Sequence, residues 1–230
     1  MAFSSSAKSR LTRHDLDRFT GKGLFDRIAR AVCEAGCLPR KELYEAWEVA
    51  RRVRRVFRGG RVVDVAGGHG LLAQAMLLLD DSSPDAHVVD PAPPSSASKL
   101  HASLASVWPR LAGRVHWTAA PLEAFVFKET DLVVSSHACG SLTDFVLDRA
   151  LDVRARVAVL PCCHDATTSD AGQITGWVDP ALAIDLLRAV RLQNNGYHVR
   201  TQTIPETVTP KNRLLIGEPS RRPEASVIPA

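Results

Sequence analysis

Histidine and cysteine crowd into two short stretches of this chain. Ser135-Ser136-His137-Ala138-Cys139-Gly140 runs into Ser141-Leu142-Thr143-Asp144, and Pro161-Cys162-Cys163-His164-Asp165 follows further on. Histidine titrates near neutral pH, so it can take or direct the proton of a hydroxyl or amine nucleophile. His137 is the first candidate for that work, Asp144 the second, and His164 a third. Cysteine offers two other chemistries. Thiolates bind zinc, but the spacing departs from C-x2-C and adjacent cysteines ligate one ion awkwardly, so no metal is expected. A cysteine can also attack a pyrimidine ring; that chemistry wants a Pro-Cys pair where this chain has Ala138-Cys139. The preferred reading of the cysteines is packing: small buried groups lining a pocket. His137 and Asp144 could likewise serve only the start of the following helix. Cys33 and Cys37 fall in an amphipathic helical region and read as core.

A third stretch, RVVDVAGGHGLL (61–72), combines an acid with a glycine turn. It reads as a buried strand, a sharp turn at Gly67, Gly68 and Gly70, and a helix whose free N–H groups face a polar ligand. Gly68-x-Gly70-x-x-Ala73 satisfies the dinucleotide pattern G-x-G-x-x-G/A, and Asp90 lies where a ribose-binding acid belongs. Asp64 argues for a different ligand. A charge at that strand position costs desolvation energy, unless the ligand brings a cation such as an ammonium or sulfonium group. Ala66 tolerates the turn only if its φ stays negative.

These residues need elements to position them. Residues 11–58 read as helical, with Leu43, Trp47, Ala50, Val53 and Phe57 on one apolar face. Strands are expected near 61–66, 86–90, 114–118, 131–136 and 155–160, each followed by a helix. A long helix starts at Asp179-Pro180, with Asp as N-cap and Pro at the first helical position. Strands near 197–204 and 213–217 close the chain. The expected fold is α/β: a Rossmann-like, seven-stranded, mostly parallel sheet with a C-terminal antiparallel hairpin strand and an N-terminal helical cap. An NAD domain would lack that hairpin. Ligands then bind beyond the carboxyl ends of the strands, where both histidine–cysteine clusters also fall.

Two resemblances follow from these motifs. Asp64-x-Ala66-x-Gly68-x-Gly70 resembles motif I of class I S-adenosylmethionine (SAM) methyltransferases, with Ala66 at the first glycine and Gly67 added. It implies SAM held by Asp64, Gly67, Gly68, Gly70, Asp90, Pro91 and Ser136, with Pro121 and Leu122 beside the adenine. SSHACGSLTD with PCCHD is similar to a methyltransferase domain family carrying SxHxCG-x-x-TD and PCC motifs, and to eukaryotic tRNA ribose 2′-O-methyltransferases carrying KHLCG-x-x-TD and CCHH. His137, Cys139, Gly140, Thr143 and Asp144 match the first motif; Cys162, Cys163 and His164 match the second. Ser136 replaces the lysine of the tRNA enzymes, Asp165 replaces their second histidine, and their N-terminal zinc-finger cysteines are absent. The resemblance covers about residues 60–165 and implies methyl transfer, with RNA as the acceptor. The alternatives are a protein acceptor, a non-catalytic SAM or RNA binder, and an NAD-dependent oxidoreductase.

Composition sets the outer bounds. The 230 residues are 45% hydrophobic and 23% charged, enough for one α/β domain over 11–218, with a cap at 11–58 and a SAM-binding core at 59–218. Residues 1–10 read as a disordered tail, too polar for a secretory signal, with an organelle peptide as the alternative; residues 219–230 read as a loose tail. Five cysteines without a regular framework suit a reducing, cytoplasmic setting. No apolar run is long enough to span a membrane. Net charge is only +4, yet six arginines fall between Arg51 and Arg61. Arg51, Arg52, Arg54 and Arg55 are therefore candidate RNA contacts, against a solvated helix face paired with Glu48.

Overall fold

A computed structural model describes residues 4–220. Seven strands form one sheet: β1 Val62–Val65, β2 Ala86–Val89, β3 Val115–Thr118, β4 Leu132–Ser135, β5 Arg156–Val159, β6 Tyr197–Thr203 and β7 Arg213–Pro219. Their order is β3-β2-β1-β4-β5-β7-β6. The first five are parallel, and β7 runs antiparallel to both β5 and β6. The expected architecture, hairpin included, is present.

Six helices cover the sheet: α1 Leu24–Ala35, α2 Arg40–Val56, α3 Leu71–Leu79, α4 Ala97–Val107, α5 Ser141–Val153 and α6 Pro180–Asn194. A parallel sheet must be covered on both faces, and each strand feeds two cores. Val62, Val88, Val134 and Ala158 pack with α1–α4; Val63, Val65, Val133, Val157 and Val159 pack with α5 and the face of α6 that carries Leu192. By the two-residue period of a strand, Asp64 lies on the same face as Val62, toward the cap and α3. The Asp179 side chain accepts the N–H of Leu182 at 3.1 Å and caps α6 as expected. Cys33 and Cys37 are buried in the cap core.

One expectation needs correction. The segment before residue 11, read as disordered, is tied down over residues 5–10. Arg40 and Lys41 donate backbone N–H bonds to Ser9 and Ala7, each at 3.0 Å, and the Ser5 hydroxyl donates to the Thr207 carbonyl at 2.7 Å. Residues 1–3 and the tail from 221 onward lie outside the described residues.

The arginine cluster is divided: Arg54 is buried, Arg51, Arg52 and Arg61 are half-buried and ion-paired, and Arg55 and Arg58 are exposed. The Arg54 side chain is 2% exposed, lies 3.1 Å from the Asp80 carboxylate, and donates to the Met76 carbonyl and the Ser83 hydroxyl. It ties α2 to the end of α3. Arg52 pairs with Glu48 and donates to the Thr203 carbonyl, Arg51 pairs with Glu48 at 3.0 Å, and Arg61 grips Asp131 with two bonds of 2.8 Å. Of the four arginines proposed as RNA contacts, Arg55 alone is exposed and without a recorded acid partner among the described residues.

Removing one partner of a buried ion pair strands the other charge, at about 3 kcal/mol or more. Arg54→Gln should lose about 3 kcal/mol in denaturant unfolding, whereas Arg55→Gln should stay within about 0.5 kcal/mol of the parent. Equal effects would place Arg54 at the surface.

Candidate active site

The strand order reverses between β1 and β4, and a crevice opens there beyond their carboxyl ends. It has a volume of about 230 Å³ and is walled by Asp64, Ala66, Gly67, Gly68 and His69 after β1, Ser136 and His137 after β4, and Pro94 after β2. Leu38, Glu42 and Ala46 of the cap close it from above. A larger cavity, about 860 Å³, opens between α1 and α4, but no strand-end residue lines it.

Asp64 is 1% exposed, and one carboxylate oxygen accepts the N–H of Ala73 in the first turn of α3 at 3.1 Å. Burial pushes its pKa up to about 7, the Asp90 charge adds to this, and the Ala73 bond works against it. Glu42 is also raised, first by burial and then by Glu45. Among the described residues no salt bridge closes on either acid. The turn is built around Asp64: a Cβ at Gly67 would lie 2.7 Å from the Asp64 Cγ and 2.9 Å from Val88. Ala66 does not keep the negative φ expected of it. It sits at φ +53°, a left-handed conformation that costs an alanine on the order of 1 kcal/mol.

The remaining expected cofactor residues separate. Ser136 is buried in the crevice wall. Asp90, at the end of β2, accepts the N–H of Gly68 at 3.1 Å and of Ala92 at 2.9 Å. It locks the glycine turn and is not in the crevice lining. Gly70 lies beneath the turn, against Val88 and Trp117. Pro91 and Pro121 are exposed, and Leu122 packs into the sheet core with Val89. Glu42 and His69 were not foreseen. His69 could have been read from its place inside the glycine turn; Glu42 carries no signal on a helix already rich in acids.

The candidate bases also divide. His137 lines the crevice, and burial, then the nearby Lys41 charge, lower its pKa. It is therefore neutral and able to accept a proton near neutral pH. Asp144 is occupied elsewhere. The Arg188 guanidinium holds its two oxygens at 2.8 Å each and Ser169 donates to it at 2.9 Å. Burial would raise its pKa, but the Arg188 bonds outweigh that and hold it low. It neither caps α5 nor faces the crevice. Arg188, itself buried, also donates to the Gly140 carbonyl and to Asp185. Asp185 in turn pairs with Arg213 at 2.6 Å and with His164 Nε2 at 2.8 Å. His164 thus belongs to this network, with its Nδ1 buried and unpartnered.

The cysteines are not buried packing groups. Cys139 and Cys163 are exposed, Cys162 is partly buried, and their three sulfurs lie within 4.8 Å of one another.

The fold is that of SAM-dependent methyltransferases. An O-methyltransferase family protein from Burkholderia thailandensis superposes with a TM-score of 0.53 at 16% identity, covering 91% of this chain and 63% of that one. The methyltransferase SibL gives 0.52 at 19% identity, over 90% and 65%. A protein of Nostoc punctiforme described as an O-methyltransferase gives 0.51 at 16% identity, over 89% and 66%. In sequence the chain is 25% identical to a glutathione S-transferase C-terminal domain-containing protein of Xenopus laevis, over 37% of this chain and 20% of that protein. It thus spans a fifth of that relative and just under two thirds of those methyltransferases. No family model matches the chain. Among the described residues no helix is long and apolar enough to cross a membrane.

The raised acid makes a prediction about stability. The folded state holds the Asp64 proton up to about pH 7, whereas an unfolded chain releases it near pH 4. The stabilisation from this proton is therefore complete below about pH 4 and is lost as pH rises through 7. Its size is up to about 4 kcal/mol, at 1.36 kcal/mol per pKa unit. Without ligand, the parent should weaken between pH 4 and 8 relative to Asp64→Asn, which cannot titrate. Parallel pH–stability curves for the two proteins would show that Asp64 is ionised throughout.

Proposed function

We propose that this chain is a SAM-dependent methyltransferase that binds SAM in the β1/β4 crevice. One observation carries the reading. A buried acid without an ion-pair partner among the described residues, Asp64, faces a glycine turn at the switch point of a methyltransferase fold, with half-buried Glu42 in the same lining. When bound, SAM supplies a methyl group already activated on a sulfonium, together with a second positive centre at its amino group. Gly67 lets the turn pass over the Asp64 carboxylate without a clash, and Asp64 and Glu42 supply negative charge. At about 230 Å³ the crevice falls below the usual 300–1,000 Å³ of ligand pockets.

With the donor activated, the chain's own task is to align a nucleophile, take its proton and exclude water. His137 stands in the crevice wall, neutral, with a free ring nitrogen for that proton. Asp144, held by Arg188, orders the chain that presents His137 and does not take part in proton transfer.

RNA is the acceptor class this reading favours. The resemblance to the tRNA enzymes supports it. So does exposed Lys211, whose charge is felt at Cys139 beyond β4. The arginine cluster gives it no support.

His137→Ala should lower kcat by about 10²–10⁴-fold, the range for loss of a general base, while SAM affinity by calorimetry changes only a few-fold. A collapse of SAM affinity with little change in kcat would make His137 a binding residue. With labelled SAM and cellular fractions, the methyl label should enter RNA and be lost on RNase treatment. Label in protein, insensitive to RNase, would overturn the RNA acceptor and leave methyl transfer standing.

A further inference from the structure

We propose that Cys139, Cys162 and Cys163 form a zinc site with three thiolate ligands and one open coordination position. The topology creates it. β4 and β5 are parallel neighbours in register, Ser135 opposite Val159, and both chains leave the sheet at the same edge. Cys139 follows β4 by a short turn, and Cys162-Cys163 follows β5. The N–H of Gly140 donates to the Cys163 carbonyl at 3.3 Å, so the two turns are joined at the cluster. Gly140 has φ +57° and ψ −130°, a conformation that only glycine adopts readily; it aims Cys139 across to the second turn.

The distances suit an ion better than packing or a cross-link. Zinc holds thiolates at about 2.3 Å in a tetrahedron, which puts its sulfur ligands about 3.8 Å apart. The adjacent pair Cys162 and Cys163 already has its sulfurs 3.8 Å apart, so adjacency in sequence is no obstacle. Cys139 and Cys162 stand at 3.0 Å and need only separate slightly. A disulfide would need about 2.05 Å, and all three cysteines are free.

The electrostatics agree. Three thiolates repel one another unless a cation joins them, and a divalent ion deprotonates its ligand thiols outright. Exposure of Cys139 and Cys163 provides the entry path. Among the described residues no fourth side chain joins the set: His164 is held by Asp185 through Nε2 and lies outside the group of mutually close ligand atoms. The fourth position is therefore left to water or to a heteroatom of another molecule. Zinc binding stands independently of the methyltransferase reading. If that reading also holds, the ion lies at the acceptor edge, where it would ease deprotonation of a bound oxygen or sulfur nucleophile.

The test uses the full chain, reduced, freed of metal with a chelator, and titrated with zinc against an indicator dye. One equivalent should bind per chain, and cobalt in its place should give a thiolate-to-metal charge-transfer band. Cys139→Ser and Cys163→Ser should each weaken zinc by about a hundredfold or more, with the far-ultraviolet circular dichroism of the parent. His164→Ala should keep one equivalent. Absence of stoichiometric binding in the parent overturns the site whatever the variants do, and so does parent-like affinity in Cys163→Ser. Loss of zinc in a folded His164→Ala would show a closed four-ligand site and overturn the open position. SAM affinity, measured separately, reports on the cofactor crevice alone.

Discussion

A carboxyl group buried at the end of the central strand constrains everything around it. Asp64 sits where β1 meets the glycine turn, 1% exposed, with one backbone N–H for a partner. Such a group is unfavourable unless it is neutral or finds a cation. The chain keeps it tolerable without satisfying it. The first turn of α3 supplies a donor, and the helix dipole adds a weak favourable field. Gly67 lacks the Cβ that would strike it, and Ala66 accepts a left-handed φ so that the turn can pass over it. Asp90 reaches back to hold Gly68 and fixes the turn from the other side. The strain at Ala66 and the raised acid are both unfavourable in isolation, and both lie on the crevice.

The contrast with the other buried and half-buried acids shows what that means. Asp80 has Arg54, Asp131 has Arg61, Asp144 has Arg188, and Asp185 has Arg213 with His164. Each of those carboxylates is matched by a guanidinium, often through two bonds, which is the strong form of charge pairing. This chain therefore has the means to neutralise buried acids and does so repeatedly. Among the fully buried acids described, Asp64 is the exception, and it opens onto the crevice. Unpaired charge concentrated at one place in an otherwise paired interior is a mark of a ligand site.

Much of this was legible in the sequence because it depends on local pattern. Five apolar runs followed by helices, an Asp-Pro helix start and a closing pair of strands specify the sheet, and the order of the strands follows from right-handed crossovers. The acid before the glycines located the crevice for the same reason. What escaped depends on partners distant in the chain. The spacing of Arg51 to Arg61 looked like one basic face. Yet a helix of radius about 5 Å turns successive residues to different sides, and Arg54 met Asp80 from beyond α3. Asp144 looked like a base until Arg188, from α6, closed on it. Glu42 entered the site only because the cap folds over the crevice. The cysteines were misread because separation in sequence hid that β4 and β5 end side by side.

The motif SSHACGSLTD can now be divided by what each side chain does. The Ser135 hydroxyl donates to the Val65 carbonyl at 2.7 Å and accepts the N–H of Ala138 at 3.1 Å, joining the ends of β1 and β4. The Thr143 hydroxyl donates to the Ala138 carbonyl at 2.6 Å and holds the turn against α5. Gly140 supplies the bend, and Asp144 anchors α5 to α6 through Arg188. These residues use their hydrogen-bonding capacity on the frame. His137 and Cys139 do not: one faces the crevice, the other faces two more thiols. They lie two residues apart in a turn held by bonds at each end. A turn so restrained gives up conformational freedom in advance, which is what placing a reactive group requires. Among the described residues, the turn leaves Ser136 and His137 free along the crevice and Cys139 free toward the other thiols.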